Sequence, residues 1–240
     1  MRFPLLIAFL LSLPLCNGRA GTVNFATQTG SYYSFQNMSE TGLNVPPSNL
    51  EDPKLYTNPY DAIQFKPSAF VVVESQLGTL ETKSLTSSLA FTALASTGLA
   101  MEKLTIDLAG TYNESGFSFG GTPVLQTSLS LDPIKFTIGG ITKTWSPSLA
   151  VTRDITNGTW GGRLEVSKSD FQNLFSSPTL QVTQLGVESQ ATVSATAQWG
   201  SANSYLTFLS FTIQPVPEPN VSSLFVLAGI FALKRKRASY

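Results

Sequence analysis

A two-residue alternation of apolar and polar side chains recurs between residues 104 and 199, and it constrains the fold more than any other feature. Successive side chains of a strand point to opposite faces of its sheet, so the pattern predicts antiparallel strands with one solvated face. Gly, Pro, Asn or Asp residues separate the segments, as is typical of turns. The segments are LTIDLAG (104–110), TSLSLDP (127–133), KFTIGG (135–140), RLEVSKS (163–169), TLQVTQLG (179–186) and TVSATAQW (192–199).

Two more continuous apolar runs, AFVVVES (69–75) and YLTFLSFTI (205–213), indicate strands that are buried more completely. Candidate strands recur roughly every 10 to 15 residues, which favours an all-β fold. We therefore predict one antiparallel β-sandwich domain of about 8 to 12 strands over residues 21–213. Within it, the sequence Thr156-Asn157-Gly158-Thr159 predicts a hairpin with a type I′ turn, because Asn-Gly readily adopts positive φ.

Three segments of the predicted domain, which we call the body (residues 21–213), depart from the alternation. Residues 88–101 fit either a helix or strands, and their Ser and Thr content together with Gly98 slightly favours strands. The segment FQNLFSS (171–177) is expected to form a short helical turn capped by Ser169 or Asp170. Residues 37–67 contain five prolines and no periodicity, so they are expected to form a long loop or an irregular edge.

Composition excludes several kinds of chemistry. The chain has no histidine and its single cysteine is Cys16, so the body lacks the usual general base and the thiolate ligands of zinc sites. Residues 22–213 hold nine basic and fourteen acidic residues, a net charge of −5, which argues against nucleic acid as a partner. We predict no cofactor, no metal site and no catalytic residue.

The first twenty residues have the layout of a secretory signal peptide. Arg2 precedes an apolar stretch at 3–15, and small residues follow. We expect signal peptidase to cleave after Ala20, with cleavage after Gly18 as the alternative. Lipid attachment at Cys16 is disfavoured because Leu15, rather than a small residue, precedes it. The mature protein is then expected to contain no cysteine.

The carboxyl-terminal segment, residues 214–240, combines a short motif, an apolar run and a basic cluster. The apolar run occupies positions 221–233. As a helix it would span about 20 Å, short of a hydrocarbon core of about 30 Å. The run is followed by Lys234, Arg235, Lys236 and Arg237, which are expected to stop translocation and stay in the cytoplasm. This segment predicts transient insertion in the inner membrane, with the body outside.

The order of Val216-Pro217-Glu218-Pro219, apolar run and basic cluster resembles the PEP-CTERM sorting signal of Gram-negative bacteria. The resemblance implies recognition of Pro217, Glu218 and Pro219 by exosortase, a membrane-embedded cysteine transpeptidase that removes the tail. The released body would be extracellular or at the cell surface, associated with the polysaccharide matrix. The resemblance is confined to the tail and implies nothing about the fold of the body.

Within the body, the best candidate for contact with a glycan is Trp160, because it lies beside the predicted hairpin turn, although aromatic residues at strand ends more often pack in the core or at a sheet edge. Other candidate stacking residues are Tyr32, Tyr33, Tyr56, Tyr60, Trp145 and Trp199. Calcium binding by Glu51, Asp52 and Asp61 is a weaker possibility, since their spacing matches no calcium-binding loop.

The preferred functional hypothesis is a non-enzymatic structural or adhesive matrix protein. The first alternative is a carbohydrate-binding module, which would carry an exposed aromatic row on one sheet face. The second is a glycan-acting hydrolase, which would need two carboxylates about 5–10 Å apart in a cleft.

Overall fold

The computed structural model describes residues 21–43, 53–66, 71–77, 79–116, 122–146 and 149–217. These residues form two antiparallel sheets of seven strands each, packed together, and one short helix. The predicted all-β sandwich is confirmed, but its 14 strands exceed the 8 to 12 that the sequence suggested. Several of the additional strands have only two to five residues, too few to show a clear alternation. The predicted signal peptide (1–20) lies outside the described residues.

In chain order, the strands are β1 (Gly21–Asn24), β2 (Gln28–Thr29), β3 (Tyr33–Leu43), β4 (Lys54–Tyr56), β5 (Asp61–Phe65), β6 (Val71–Gln76), β7 (Glu81–Ala95), β8 (Leu99–Gly116), β9 (Val124–Ile138), β10 (Ile141–Trp145), β11 (Val151–Asp154), β12 (Thr159–Ser167), β13 (Gln184–Gln198) and β14 (Gly200–Pro217). The first sheet has the order β1-β3-β7-β13-β9-β10, and β2 pairs with β3. The second has the order β11-β12-β8-β14-β5-β4, and β6 pairs with β14. The helix α1 (Lys168–Leu174) follows β12.

The core lies between the sheets and consists of alternate side chains of the long strands. Aromatic rings join the two layers: Phe91 of the first sheet meets Phe211 of the second edge-on, with ring centroids 4.8 Å apart. The Phe211 ring also packs edge-on against the Phe65 ring, with centroids 6.4 Å apart. Burying each such ring contributes about 1.5–3 kcal/mol, so these contacts favour a single packing of the sheets.

Residues 88–101 form strands, as the sequence slightly favoured. β7 ends at Ala95, β8 begins at Leu99, and Gly98 between them has a φ of +79°. The prediction of a loop or irregular edge for 37–67 was wrong in part, because β3 continues to Leu43 and β4 and β5 follow. The alternation in β3 is interrupted at Asn37, where φ is +52° and the register to β7 shifts. Because of this bulge, the two-residue alternation does not continue through the whole strand, so the pattern did not predict it.

The predicted Asn-Gly hairpin joins β11 to β12, but its turn type differs from the prediction. Asp154 pairs with Thr159, so the turn lies between them, and positive φ occurs at Gly158 but not at Asn157. The Asp154 carboxylate accepts hydrogen bonds from the Asn157 side chain at 2.8 Å and from the Thr156 backbone N–H at 2.9 Å. These bonds lower the pKa of Asp154 below its usual value. The carboxylate therefore supplies the turn geometry that the prediction had assigned to Asn157.

The predicted helical turn is α1, but its cap is neither Ser169 nor Asp170. Ser167 is the N-cap, and its hydroxyl accepts a hydrogen bond from the Asp170 backbone N–H at 3.3 Å. The Asp170 carboxylate in turn accepts from the Ser167 backbone N–H at 2.8 Å, which completes a capping box. Phe171 is fully buried and fixes the helix against the sandwich.

Candidate functional site

The predicted sorting motif begins within a paired strand. β14 continues to Pro217, which pairs with Leu99 of β8. The predicted boundary between residues 213 and 214 therefore falls within a paired strand. Glu218, Pro219, the apolar run at 221–233 and the basic cluster at 234–237 lie outside the described residues. In the part of the chain that is described, no helix is long and apolar enough to cross a membrane.

Trp160, predicted to contact a glycan, is instead part of the core. Its side chain is 3% exposed, and its indole N–H donates to the Tyr205 carbonyl at 3.2 Å. The ring occupies the space beside Gly110, where a Cβ would overlap the indole nitrogen. Of the two interpretations that the sequence left open for Trp160, core packing applies, because the alternation of β12 directs this position to the inner face although a hairpin tip is nearby.

Tyr112 and Arg153 hold the β11–β12 hairpin against the rest of the second sheet. The Arg153 guanidinium lies 4.2 Å from the centre of the Tyr112 ring and pairs with Glu114 at 2.8 Å. The Tyr112 ring also packs on Trp160, with centroids 5.2 Å apart. These contacts explain the aromatic residues near the hairpin as structural elements.

Asp61, considered above only as a weaker candidate for calcium binding, joins the two sheets. It is fully buried in β5, and its carboxylate accepts hydrogen bonds from the backbone N–H groups of Ser31, Tyr32 and Tyr33 at 2.6–3.1 Å. The carboxylate fits against Gly30, where a Cβ would overlap it. Glu51 and Asp52 lie outside the described residues. Within the described ranges, no group of three or more His, Cys, Asp and Glu residues is placed to hold a metal ion.

The other aromatic candidates are dispersed. Tyr33 is fully buried, and burial together with the Asp61 charge raises the pKa of its hydroxyl well above the usual range. Trp145 and Trp199 are partly buried, and Tyr56 is 44% exposed at the edge strand β4. Tyr33 is therefore not available to stack on a ligand, whereas Tyr32 and Tyr60 are partly exposed.

The outer face of the first sheet is lined with hydroxyl groups that bond one another across strands. We call this surface the hydroxyl face and define it by Thr82, Thr86, Ser128, Thr192, Ser194 and Thr196. The pairs Thr82–Thr196 and Thr86–Thr192 have oxygen–oxygen distances of 2.8 and 3.0 Å, and Ser128 bonds Ser194. Farther along the same strands, two shallow depressions of about 240 and 470 Å³ share Ala90 and Glu188.

The outer face of the second sheet has a different construction. A bulge between Leu206 and Phe208 shifts the register of β14 against β8. Leu206 and Leu209 both point inward and are buried, so Tyr205 and Phe208 both lie on the outer face, partly exposed. The strand thus presents two aromatic rings to solvent on either side of Thr207.

Phe208 borders a shallow depression of about 630 Å³ that crosses four strands. We call it the aromatic trough and define it by Phe208, Gly161, Thr152, Asp107 and Arg163. Strand register places Phe208, Gly161 and Thr152 in one row, with Ala109 of β8 between Phe208 and Gly161. In the next row, the Arg163 guanidinium pairs with the Asp107 carboxylate at 2.9 Å.

Each of these three depressions is lined by one carboxylate, and a cation pairs with it. Glu188 pairs with Lys135 at 3.6 Å, and Asp107 pairs with Arg163. The two-carboxylate arrangement of a glycoside hydrolase is not formed by the lining of any of the three.

Sequence reasoning did not identify Tyr205 and Phe208 as surface residues. The run 205–213 is almost continuously apolar, so it reads as a strand buried on both faces. The bulge at Thr207 decides which residues are inside, and nothing in the run marks its position.

Comparison with known proteins identifies no family for this chain. No protein-family model matches the chain, and no curated protein is significantly similar to it. The functional argument therefore rests on the residues of this chain.

Proposed function

We propose that this is an exported protein whose tail exosortase removes at Pro217-Glu218-Pro219, and that the released sandwich is a structural or adhesive component of the extracellular polysaccharide matrix. One observation carries the proposal. Four features follow one another in the required order: the signal-peptide layout at 1–20, the motif, the apolar run at 221–233 and the basic cluster. A proline-acid-proline tripeptide by itself would carry little weight.

The end of β14 supports this proposal. The chain is extended and paired up to Pro217, so the folded body reaches the motif without an intervening linker. Proline disfavours helix and keeps its neighbour extended, which suits presentation of Glu218 to a processing enzyme at the membrane face. Cleavage after the motif would release the whole sandwich.

The short apolar run also fits transient membrane insertion. The run at 221–233 is too short for a comfortable permanent span, yet the basic cluster after it suffices to halt translocation. A precursor held in this way would be anchored weakly until it is processed.

A non-enzymatic role agrees with the chemistry of the body. The buried carboxylates Asp61 and Glu74 are hydrogen-bonded within the fold, and the carboxylates of the three depressions pair with cations. These groups stabilise the sandwich and are not arranged as an acid–base pair.

The proposal can be tested by fractionating a Gram-negative host that has a cognate exosortase. We expect the wild-type body in the cell-free fraction. Glu218→Ala, or deletion of residues 234–237, should leave precursor in the inner membrane or misrouted. Glu102→Ala, which changes an exposed acid of β8, is the matched control and should be released normally. Equal release of wild type and Glu218→Ala would contradict recognition of the motif.

A further inference from the structure

We propose that the aromatic trough of the second sheet is a binding site for a neutral polysaccharide chain. The choice of a polysaccharide rests on the proposed function, since a matrix protein meets such polymers. The location of the site rests on the geometry of the outer face. Four features support it: the bulge in β14, the open floor, the internal charge balance and the contrast with the hydroxyl face.

The bulge in β14 places an aromatic ring where a regular strand would not. Without the extra residue at Thr207, the alternation that buries Leu206 would also bury position 208. With it, Phe208 lies outside and borders the trough, and Tyr205 lies on the same face nearby. Bulges commonly redirect side chains next to functional sites. The apolar C–H face of a sugar ring packs well on such an exposed aromatic ring.

The floor of the trough is open at Gly161, although packing does not require a glycine there. A Cβ at Gly161 would have as its nearest neighbour the Leu108 carbonyl oxygen at 3.7 Å, an ordinary van der Waals distance. At the adjacent Gly162, a Cβ would lie 2.9 Å from the Ala150 carbonyl oxygen, so that glycine is needed for packing. The lack of a side chain at Gly161 leaves room beside Phe208 for a ligand.

The charges of the trough favour a neutral ligand with many hydroxyl groups. Asp107 and Arg163 neutralise each other, and their side chains remain 26% and 65% exposed. The pair therefore offers both an acceptor and donors to sugar hydroxyls without a net charge. Thr152 adds a hydroxyl at the opposite end of the row, although this group already bonds the Gly161 carbonyl at 3.1 Å.

The hydroxyl face shows what an outer face looks like when its polar groups bond mainly with one another. Its Ser and Thr side chains pair across strands. The trough leaves Phe208 partly exposed without such a local role. Two matched substitutions follow from this contrast: Gly161→Val fills the trough, and Ala90→Val fills the depressions of the first sheet.

Binding can be measured by isothermal titration of full-length protein in a mild detergent against soluble β-glucan, galactomannan and dextran as neutral probes, and alginate as an anionic probe. We expect binding to at least one neutral polymer and weaker binding to alginate. Phe208→Ala and Gly161→Val should each weaken the neutral complex about tenfold or more, since the first removes the aromatic contact and the second fills the space that the ligand would occupy. Ala90→Val should change the affinity less than twofold, by roughly RT ln 2 at most.

Four results would overturn the site. Two concern the probes: no binding to any neutral polymer, or tighter binding to alginate. The others are loss of polymer binding with Ala90→Val but not with Gly161→Val, and a dimer that Gly161→Val dissociates while polymer binding is absent. Thermal unfolding of each variant verifies that it is folded, and the two trough variants act through different residues. The titration does not depend on export, so its failure leaves the release assay unaffected, and failed release leaves the titration informative.

Discussion

The outer faces of the two sheets use different polar chemistry. On the first sheet, hydroxyl pairs across β7, β13 and β9 predominate, as between Thr86 and Thr192 at 3.0 Å, beside the ion pair of Lys135 and Glu188 described above. On the second sheet, ion pairs join β8 to β12, as Asp107 and Arg163 do at 2.9 Å, and two aromatic rings lie among them partly exposed. Both faces belong to the same sandwich and enclose the same core.

This difference distinguishes side chains whose cross-strand contacts stabilise the sheet from side chains that make no such contact. Cross-strand hydroxyl pairs and ion pairs each contribute a few tenths of a kcal/mol to the sheet, so they have a structural explanation. Phe208 is only partly buried on the outer face, so burial stabilises it less than it stabilises a core ring. A partly exposed ring beside an open floor is the observation on which the proposed binding site rests.

The largest expected effect distinguishes the inner from the outer aromatic residues of the second sheet. Trp160→Ala should lower the free energy of unfolding by about 3–5 kcal/mol, because it leaves a cavity beside Gly110 and removes a hydrogen bond to Tyr205. Phe208→Ala should cost about 1 kcal/mol or less. Urea unfolding followed by circular dichroism measures both. Equal losses would show that Phe208 is a core residue and would remove it from the trough.

The next effect tests the junction of the two sheets. Asp61→Ala should destabilise the protein by about 1–3 kcal/mol, because it leaves three backbone N–H groups without their carboxylate acceptor. Glu102→Ala, at an exposed acid, should change stability by about 0.5 kcal/mol or less. If the two variants unfold at the same urea concentration, the Asp61 contacts do not stabilise the junction.

A smaller, pH-dependent effect is expected at Glu74, which pairs with Lys83 of the first sheet at 2.9 Å. Burial opposes ionisation of Glu74, but hydrogen bonds from Lys83 and Gln76 and the Lys83 charge outweigh it and lower the pKa. A lowered pKa in the folded state stabilises the protein above the unfolded pKa, and this contribution is lost as pH falls through the folded value. Because Lys83 is 62% exposed, the contribution should be about 1 kcal/mol or less.

Glu74→Gln tests this by comparison with the wild type. Urea unfolding at pH 7 and at pH 3 should show a larger loss of stability on acidification for the wild type than for the variant. Identical losses would mean that Glu74 has the same pKa in the folded and unfolded states.

The smallest effect concerns the hydroxyl face. Thr86→Ala and Thr192→Ala should each cost about 0.5 kcal/mol, and the double variant should cost less than their sum, because both remove the same hydrogen bond. A double-mutant cycle in urea measures the coupling. No variant of this pair should change polysaccharide binding, and a change would contradict assignment of the site to the second sheet.

How far the sequence predicts this molecule depends on how local the determining contacts are. Alternation from residue 104 to 199 indicated the strands, because it reflects which side of a sheet each residue occupies. After the bulges at Asn37 and Thr207, each residue lies on the face opposite to the one that regular alternation predicts. These bulges depend on pairing with strands far along the chain. Trp160 was misplaced for a different reason: the alternation of β12 directs it to the inner face, but the nearby turn was given more weight.

The candidate sites divide in the same way. The motif Pro217-Glu218-Pro219 is contiguous, so the sequence indicates it without a structure. The aromatic trough assembles residues of four strands, and neither Phe208 nor Gly161 is conspicuous in the sequence. A site of this kind becomes visible once strand register is known.

The proposal that exosortase removes the tail is decided by the intact mass of the protein recovered from the cell-free fraction of a host with a cognate exosortase. We predict one mature species that begins between residues 17 and 22 and lacks residues 221–240. An exported protein that retains the terminus Arg237-Ala238-Ser239-Tyr240 would contradict processing at the motif and reduce the tail to a weak membrane tether.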